Sequence, residues 1–174
     1  INIKDLEFYK NAKNNQKTSI SDPIIDKKTG KVFLGIAAPI IYKNEFEYVY
    51  VVYIPYEKIN DEVSDIKFGK TGHGYIINKQ GLTVADKTVN NVSNQLNVID
   101  ASKKNKQLSD IYKHAVNSNP GTDSYKSDGK EQLIGYAPIP DTNWVLIVNA
   151  PVKEFMGSIN STILLCIGVG LAGL

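Results

Sequence analysis

The sequence predicts an α+β chain. It reads as two tandem modules, each an antiparallel sheet with flanking helices, the first incomplete, followed by a C-terminal transmembrane helix. Three observations predict this: an internal repeat, paired runs of β-branched and aromatic residues that end at a proline, and an uncharged C-terminal tail. The chain has 174 residues, 42% of them hydrophobic, and a formal net charge of +2. That composition supports a packed core, and so balanced a charge argues against a dedicated nucleic-acid binder. All 20 basic residues are lysine, so no planar guanidinium is present to clamp a phosphate or carboxylate. The single cysteine, Cys166, excludes an internal disulfide, and His73 and His114 are too far apart in sequence to form a ligand pair.

The repeat organises most of the chain. Phe8–Asn15 aligns with Ile111–Ser118, matching Tyr9, Lys10, Ala12 and Asn14 to Tyr112, Lys113, Ala115 and Asn117. Ser21-Asp22 then aligns with Thr122-Asp123, and Gly30-Lys31 with Leu34 aligns with Gly129-Lys130 and Leu133. Ala38-Pro39-Ile40 aligns with Ala137-Pro138-Ile139, and Val51–Pro55 aligns with Ile147–Pro151. The order is kept, and only loop lengths differ.

Each copy opens with a helix. In the second, Leu108, Ile111, Tyr112, Ala115 and Val116 follow the spacing of one buried helical face. Turn chemistry follows, Asp26-Lys-Lys-Thr-Gly30 in one copy and Ser127-Asp-Gly129 in the other. A hairpin comes next. Its strands are expected over 31–41 and 47–54 in the first copy and over 131–139 and 144–149 in the second. Pro55 and Pro151 then open helices, the first expected over 56–66. The second copy also carries a preceding strand–turn–strand, Gly72–Asn78, Lys79–Gly81 and Leu82–Asp86, which the first lacks. The expected organisation is a first module at 1–67 that has lost its opening hairpin, a complete second module at 68–151, and a C-terminal segment at 152–174. Unpaired strand edges in the first module predict marginal stability and aggregation when residues 1–174 are expressed alone.

The C-terminal segment carries no charge after Glu154. Its apolar span begins near Ile159, and Ile163–Leu174 reads ILLCIGVGLAGL. That pattern predicts the start of a membrane helix, in which the glycines are acceptable. No hydrolase, phosphate-loop or zinc-protease motif is present. Gly69-Lys-Thr-Gly72 imitates part of a phosphate loop but leads into a strand, so no helix N-terminus is there to hold phosphate. No catalytic, metal or cofactor site is expected.

The chain resembles double Cache domains, PAS-like extracytoplasmic sensors of bacterial transmembrane receptors. The residues that carry the resemblance are Ser21-Asp22-Pro23 with Thr29-Gly30, Ala38-Pro39-Ile40, Phe68–Asn78 with Gly81, and Trp144 before the final strand. The resemblance implies a membrane-distal module that holds a small-molecule pocket, a membrane-proximal module, and signalling through the final helix. It also implies residues 1–154 outside the cytoplasm of a cell-membrane protein that works as a homodimer. The output most like it is a methyl-accepting chemotaxis protein; a histidine kinase or diguanylate cyclase is the alternative. A ligand-free, membrane-anchored structural domain is a third reading, from a different class.

Amino-acid-sensing members of that family share an Arg-x-Trp-Tyr stretch, a Tyr and an Asp in the following turn, and an Asp at the last distal strand. Here those positions are Leu6, Phe8 and Tyr9, then Ile24 and Asp26, then Pro55. With the carboxylate clamp gone, the resemblance disfavours a standard amino acid as ligand. The candidate ligand-binding residues are Phe8, Tyr9, Asp26 and Tyr53, an acid beside aromatic faces suited to an amine or a less polar molecule. Each has a plainer reading. Tyr9 recurs as Tyr112, as a packing residue would. Asp26 suits its turn, and Tyr53 belongs to an aromatic strand.

Overall fold

The computed structural model describes residues 3–155. A single turn of 3₁₀ helix (Ile3–Asp5) leads into helix α1 (Glu7–Asn15). The first sheet contains β1 (Ser19–Ile20), β2 (Ile24–Ile25), β3 (Val32–Tyr42) and β4 (Glu45–Pro55). β1 and β2 both pair with one edge of β3, and β4 pairs with the other. Helix α2 (Tyr56–Ser64) follows directly from β4. The second sheet contains β5 (Lys67–Phe68), β6 (Gly72–Asn78), β7 (Thr83–Ala85), β8 (Gly121–Ser127), β9 (Lys130–Pro138) and β10 (Trp144–Pro151). Its order is β5-β6-β10-β9-β8, with β7 also on β6. Helices α3 (Val89–Ser93), α4 (Val98–Ala101) and α5 (Lys106–Ala115) lie between β7 and β8.

The α+β class and the antiparallel hairpins are as the sequence predicts; the boundaries shift for local reasons. β4 starts at Glu45 rather than Glu47. Lys43 and Asn44 both take positive φ, 50° and 65°, and make a two-residue turn that lets pairing begin at once. α2 stops at Ser64 because the Ile66 carbonyl turns to accept the Gly74 N–H at 3.1 Å. β1, β2, β5, β8, α3 and α4 are not anticipated. β1 and β2 are two residues each, and β8 is a polar run in which only Tyr125 is buried.

Alternation assigns the faces. On the first sheet Gly35, Ala37, Val49, Val51 and Tyr53 share one face, over which α1 lies. The Phe8 ring lies on Gly35, where a Cβ would collide with it. The repeat aligns Phe8 and Gly35 with Ile111 and Ile134, so one copy packs a large ring on a glycine and the other two isoleucines. On the second sheet Tyr75, Ile77, Ile134, Tyr136, Val145 and Ile147 form one core with α5. Its opposite face contributes Ile76 and Trp144 to another core, with Tyr56 and Val63 of α2, Val84 and Val92. Val32 and Leu34 of β3 enter this same core, so the two sheets share apolar contact.

β10 lies between β9 and β6, whereas β4 has only β3 as a strand partner among the described residues. No helix of the described residues is long and apolar enough to cross a membrane. The expected membrane helix falls almost wholly on residues 156–174, outside the described residues.

Candidate functional site

Where α1 and the segment 17–24 meet the β9–β10 turn there is a cleft of about 840 Å³. Helix α1 contributes Glu7, Phe8, Asn11 and Asn15, and Leu6 just before it; the first sheet adds Ile24; the β9–β10 turn adds Asp141, Thr142 and Asn143. This volume suits a small organic molecule.

Ser21-Asp22-Pro23 builds the wall between the sheets. The Ser21 Oγ accepts the Gly35 N–H at 2.7 Å, and its own N–H donates to the Gly35 carbonyl at 2.8 Å, fixing the segment to β3. The next residue faces the second sheet. The Asp22 carboxylate accepts Trp144 Nε1–H on Oδ1 and Asn78 Nδ2–H on Oδ2, both at 2.8 Å. Asn78 is itself fixed, because its Oδ1 accepts the Gln80 and Leu82 N–H groups of the β6–β7 turn at 3.0 and 2.9 Å. Behind Asp22 a small void of about 40 Å³ reaches Val84 and Val92. One carboxylate therefore fastens the cleft wall to two adjacent strands of the second sheet, at the paired residues Asn78 of β6 and Trp144 of β10.

Of the residues expected from the sequence, Phe8 lines the cleft and is buried. Tyr9, Asp26 and Tyr53 are not among its lining. Tyr9 is half-buried on α1, and Tyr53 is exposed on β4. Asp26 shapes its turn: it accepts Thr29 Oγ1–H at 2.6 Å and Lys28 N–H at 3.0 Å. The Thr29 hydroxyl, then the Lys28 amide, hold its carboxyl below the ordinary value. Leu6 and Ile24, two positions at which the resemblance expects polar amino-acid contacts, also line the cleft. Glu7, Asn11, Asn15 and the 141–143 turn also line the cleft and were not among the sequence candidates; Phe8, the positions of Leu6 and Ile24, and the Ser21-Asp22 motif pointed to this region. Among the described residues no group of His, Cys, Asp and Glu could hold a metal ion.

Residues 2–159 match the family model described as a Cache domain, dCache_1. The chain belongs to the Cache domain family. No curated protein matches it. Among solved structures, this Cache domain is similar to the extracellular domain of mmHK1S-Z2, described as a histidine kinase. The TM-score is 0.71 at 18% identity, over 90% of this chain and 59% of that one. It is also similar to the ligand-binding domain of Mlp24 with asparagine, with TM-score 0.62 at 18% identity over 92% and 61% of the two chains. A third is the ligand-binding domain of the Pseudomonas fluorescens chemoreceptor CtaA with L-leucine, with TM-score 0.66 at 16% identity over 89% and 62%. At these identities the likeness is one of fold. The chain spans about six-tenths of the length of these solved domains.

Proposed function

We propose that this Cache domain is the extracytoplasmic ligand-sensing part of a cell-membrane receptor, and that the cleft beside α1 receives the ligand. The carrying observation is the cleft's construction: its lining comes from α1 and the first sheet on one side and from the β9–β10 turn on the other. Asp22 and its bonds to Trp144 and Asn78 stand in the wall. A ligand held there contacts both sides and shifts the population between arrangements of the two sheets.

In this reading 1–67 and 68–151 act as distal and proximal modules, and 152–174 carries the signal into the membrane in a homodimer. The output is that of a chemotaxis receptor, with a histidine kinase or diguanylate cyclase as the alternative. A volume of this size, in which Leu6, Ile20 and Ile24 stand beside the fixed carboxylate of Asp22, favours sensing over a purely structural role.

A thermal-shift screen of small metabolites against the full-length protein tests the proposal. A ligand that binds only the folded state raises the melting temperature. Asn11→Trp, which fills the cleft from an exposed helical position, should abolish the shift and leave the unliganded melting temperature in place. A folded protein that responds to no compound, or a hit indifferent to Asn11→Trp, would sink it.

A further inference from the structure

The charges around the cleft are lopsided. Glu7, Asp22 and Asp141 line it, with Lys17 as the one cation among its lining residues. Its remaining polar groups are neutral, and Leu6, Phe8 and Ile24 give it apolar surface. From this balance, and resting on the cleft being the sensing site, we infer that its ligand is a small organic cation: an amine with a short aliphatic or aromatic body and no carboxylate.

An ammonium group entering the cleft meets acceptors for charge-assisted hydrogen bonds. Asp22 spends one acceptor position on each oxygen, and an ionised carboxylate has about four, so it can take a further donor without releasing Trp144 or Asn78. A ligand carboxylate meets the opposite situation. It would lose water beside three like charges, with a single flexible lysine as counter-ion and no arginine anywhere in the chain. The ligand's apolar body has the half-buried Leu6 and Ile24 to cover it.

The acidic groups also stand on different parts of the fold. Glu7 is on α1, whereas Asp141 is on the turn between β9 and β10. An amine that engages both ties the first sheet's helix to the second sheet's hairpin.

Titration calorimetry on the full-length protein with three four-carbon probes decides the matter: n-butylamine, butyrate and 2-aminobutyrate. Binding of n-butylamine in clear preference to the other two is expected. Glu7→Gln and Asp141→Asn, both exposed positions, should each weaken it roughly three- to tenfold and leave thermal stability unchanged. Butyrate or 2-aminobutyrate binding better, with sensitivity to Asn11→Trp, would overturn the ligand class while the cleft stands as the sensing site. Amine binding untouched by Glu7→Gln, Asp141→Asn and Asn11→Trp would overturn the location. Binding of none of the three would overturn the inference, and the broader metabolite screen then judges the sensing reading separately.

Discussion

Asp22 ties the segment beside β1 to two strands of the second sheet. It joins positions 122 residues apart in sequence, and both of its partners would keep an N–H without an acceptor if it were removed. Trp144 is buried, so the loss is not made good by bulk water. Asp22→Ala should therefore destabilise the fold by about 1–3 kcal/mol. It should also red-shift the emission of Trp144, the chain's single tryptophan. Urea unfolding followed by fluorescence reads both, and an unshifted spectrum with unchanged stability would remove Asp22 from this role. Glu154 is the counterpart at the other end of the second sheet. Its carboxylate accepts Lys70 N–H at 2.5 Å, Thr71 N–H at 3.0 Å and the Thr71 hydroxyl, while the Phe155 ring packs at a tilt against Phe68 with ring centroids 4.8 Å apart. The Thr71 hydroxyl, then the Thr71 amide, lower its pKa below the ordinary 4.5. A lowered carboxyl stabilises the fold above its unfolded pKa, and that contribution is lost as pH falls through the folded value. The Lys70 and Thr71 amides should thus be protected from exchange at neutral pH and lose that protection only well into the acid range. Glu154→Gln should weaken it at neutral pH and abolish the acid transition.

At the scale of the elements, two glycines that the sequence aligns sit in turns of the same backbone geometry. Gly30 and Gly129 close equivalent turns with φ of 71° and 72°, and a Cβ at either would meet nothing within 4 Å. Alanine there incurs only the backbone strain of the left-handed region, about 1 kcal/mol. Gly72 is different. A Cβ would run into the Phe68 carbonyl, the Ala150 side chain and the Asn149 carbonyl, two of them main chain that cannot swing aside. Gly72→Ala should cost more than either turn substitution, about 2–3 kcal/mol, because β5, β6 and β10 must separate to admit it. Thermal unfolding of the three variants checks the ranking. These elements were legible because long alternating strands and one amphipathic helix leave periodic traces. β1 and β2 are too short to show a period, and β8 buries one side chain in seven. The cleft was hard to read, since α1 with the segment 17–24 and the β9–β10 turn that bound it lie far apart in sequence. An acid in a turn looks the same in sequence whether it faces a ligand or its own turn, and Asp26 is bonded to Thr29 of its turn.

For the molecule as a whole, the two sheets differ most in what covers them. The repeat aligns Ile40, Tyr48, Tyr50 and Val52 with Ile139, Trp144, Leu146 and Val148. Trp144 is 5% exposed beneath the shared core, yet its counterpart Tyr48 is 63% exposed, as is Tyr50, and Ile40 and Val52 stand open beside them. The register places all four on one face: Ile40 pairs with Tyr48, Ala38 with Tyr50 and Ile36 with Val52. Beside this face runs the outer edge of β4, eleven residues long and without a strand partner among the described residues. A contiguous apolar face next to an open strand edge is the combination that drives association. The chain of residues 1–174, prepared alone, should therefore self-associate in proportion to concentration. Tyr50→Lys with Val52→Lys should return it to a monomer, because charges on an exposed strand face oppose sheet-to-sheet contact and remove no buried packing. Light scattering with detergent-masked C-terminal segments separates this route from association through the apolar tail. If the double variant associates as strongly as the parent, β4 is not the surface responsible; if the parent is monomeric at all concentrations, its aromatic face is tolerated by solvent.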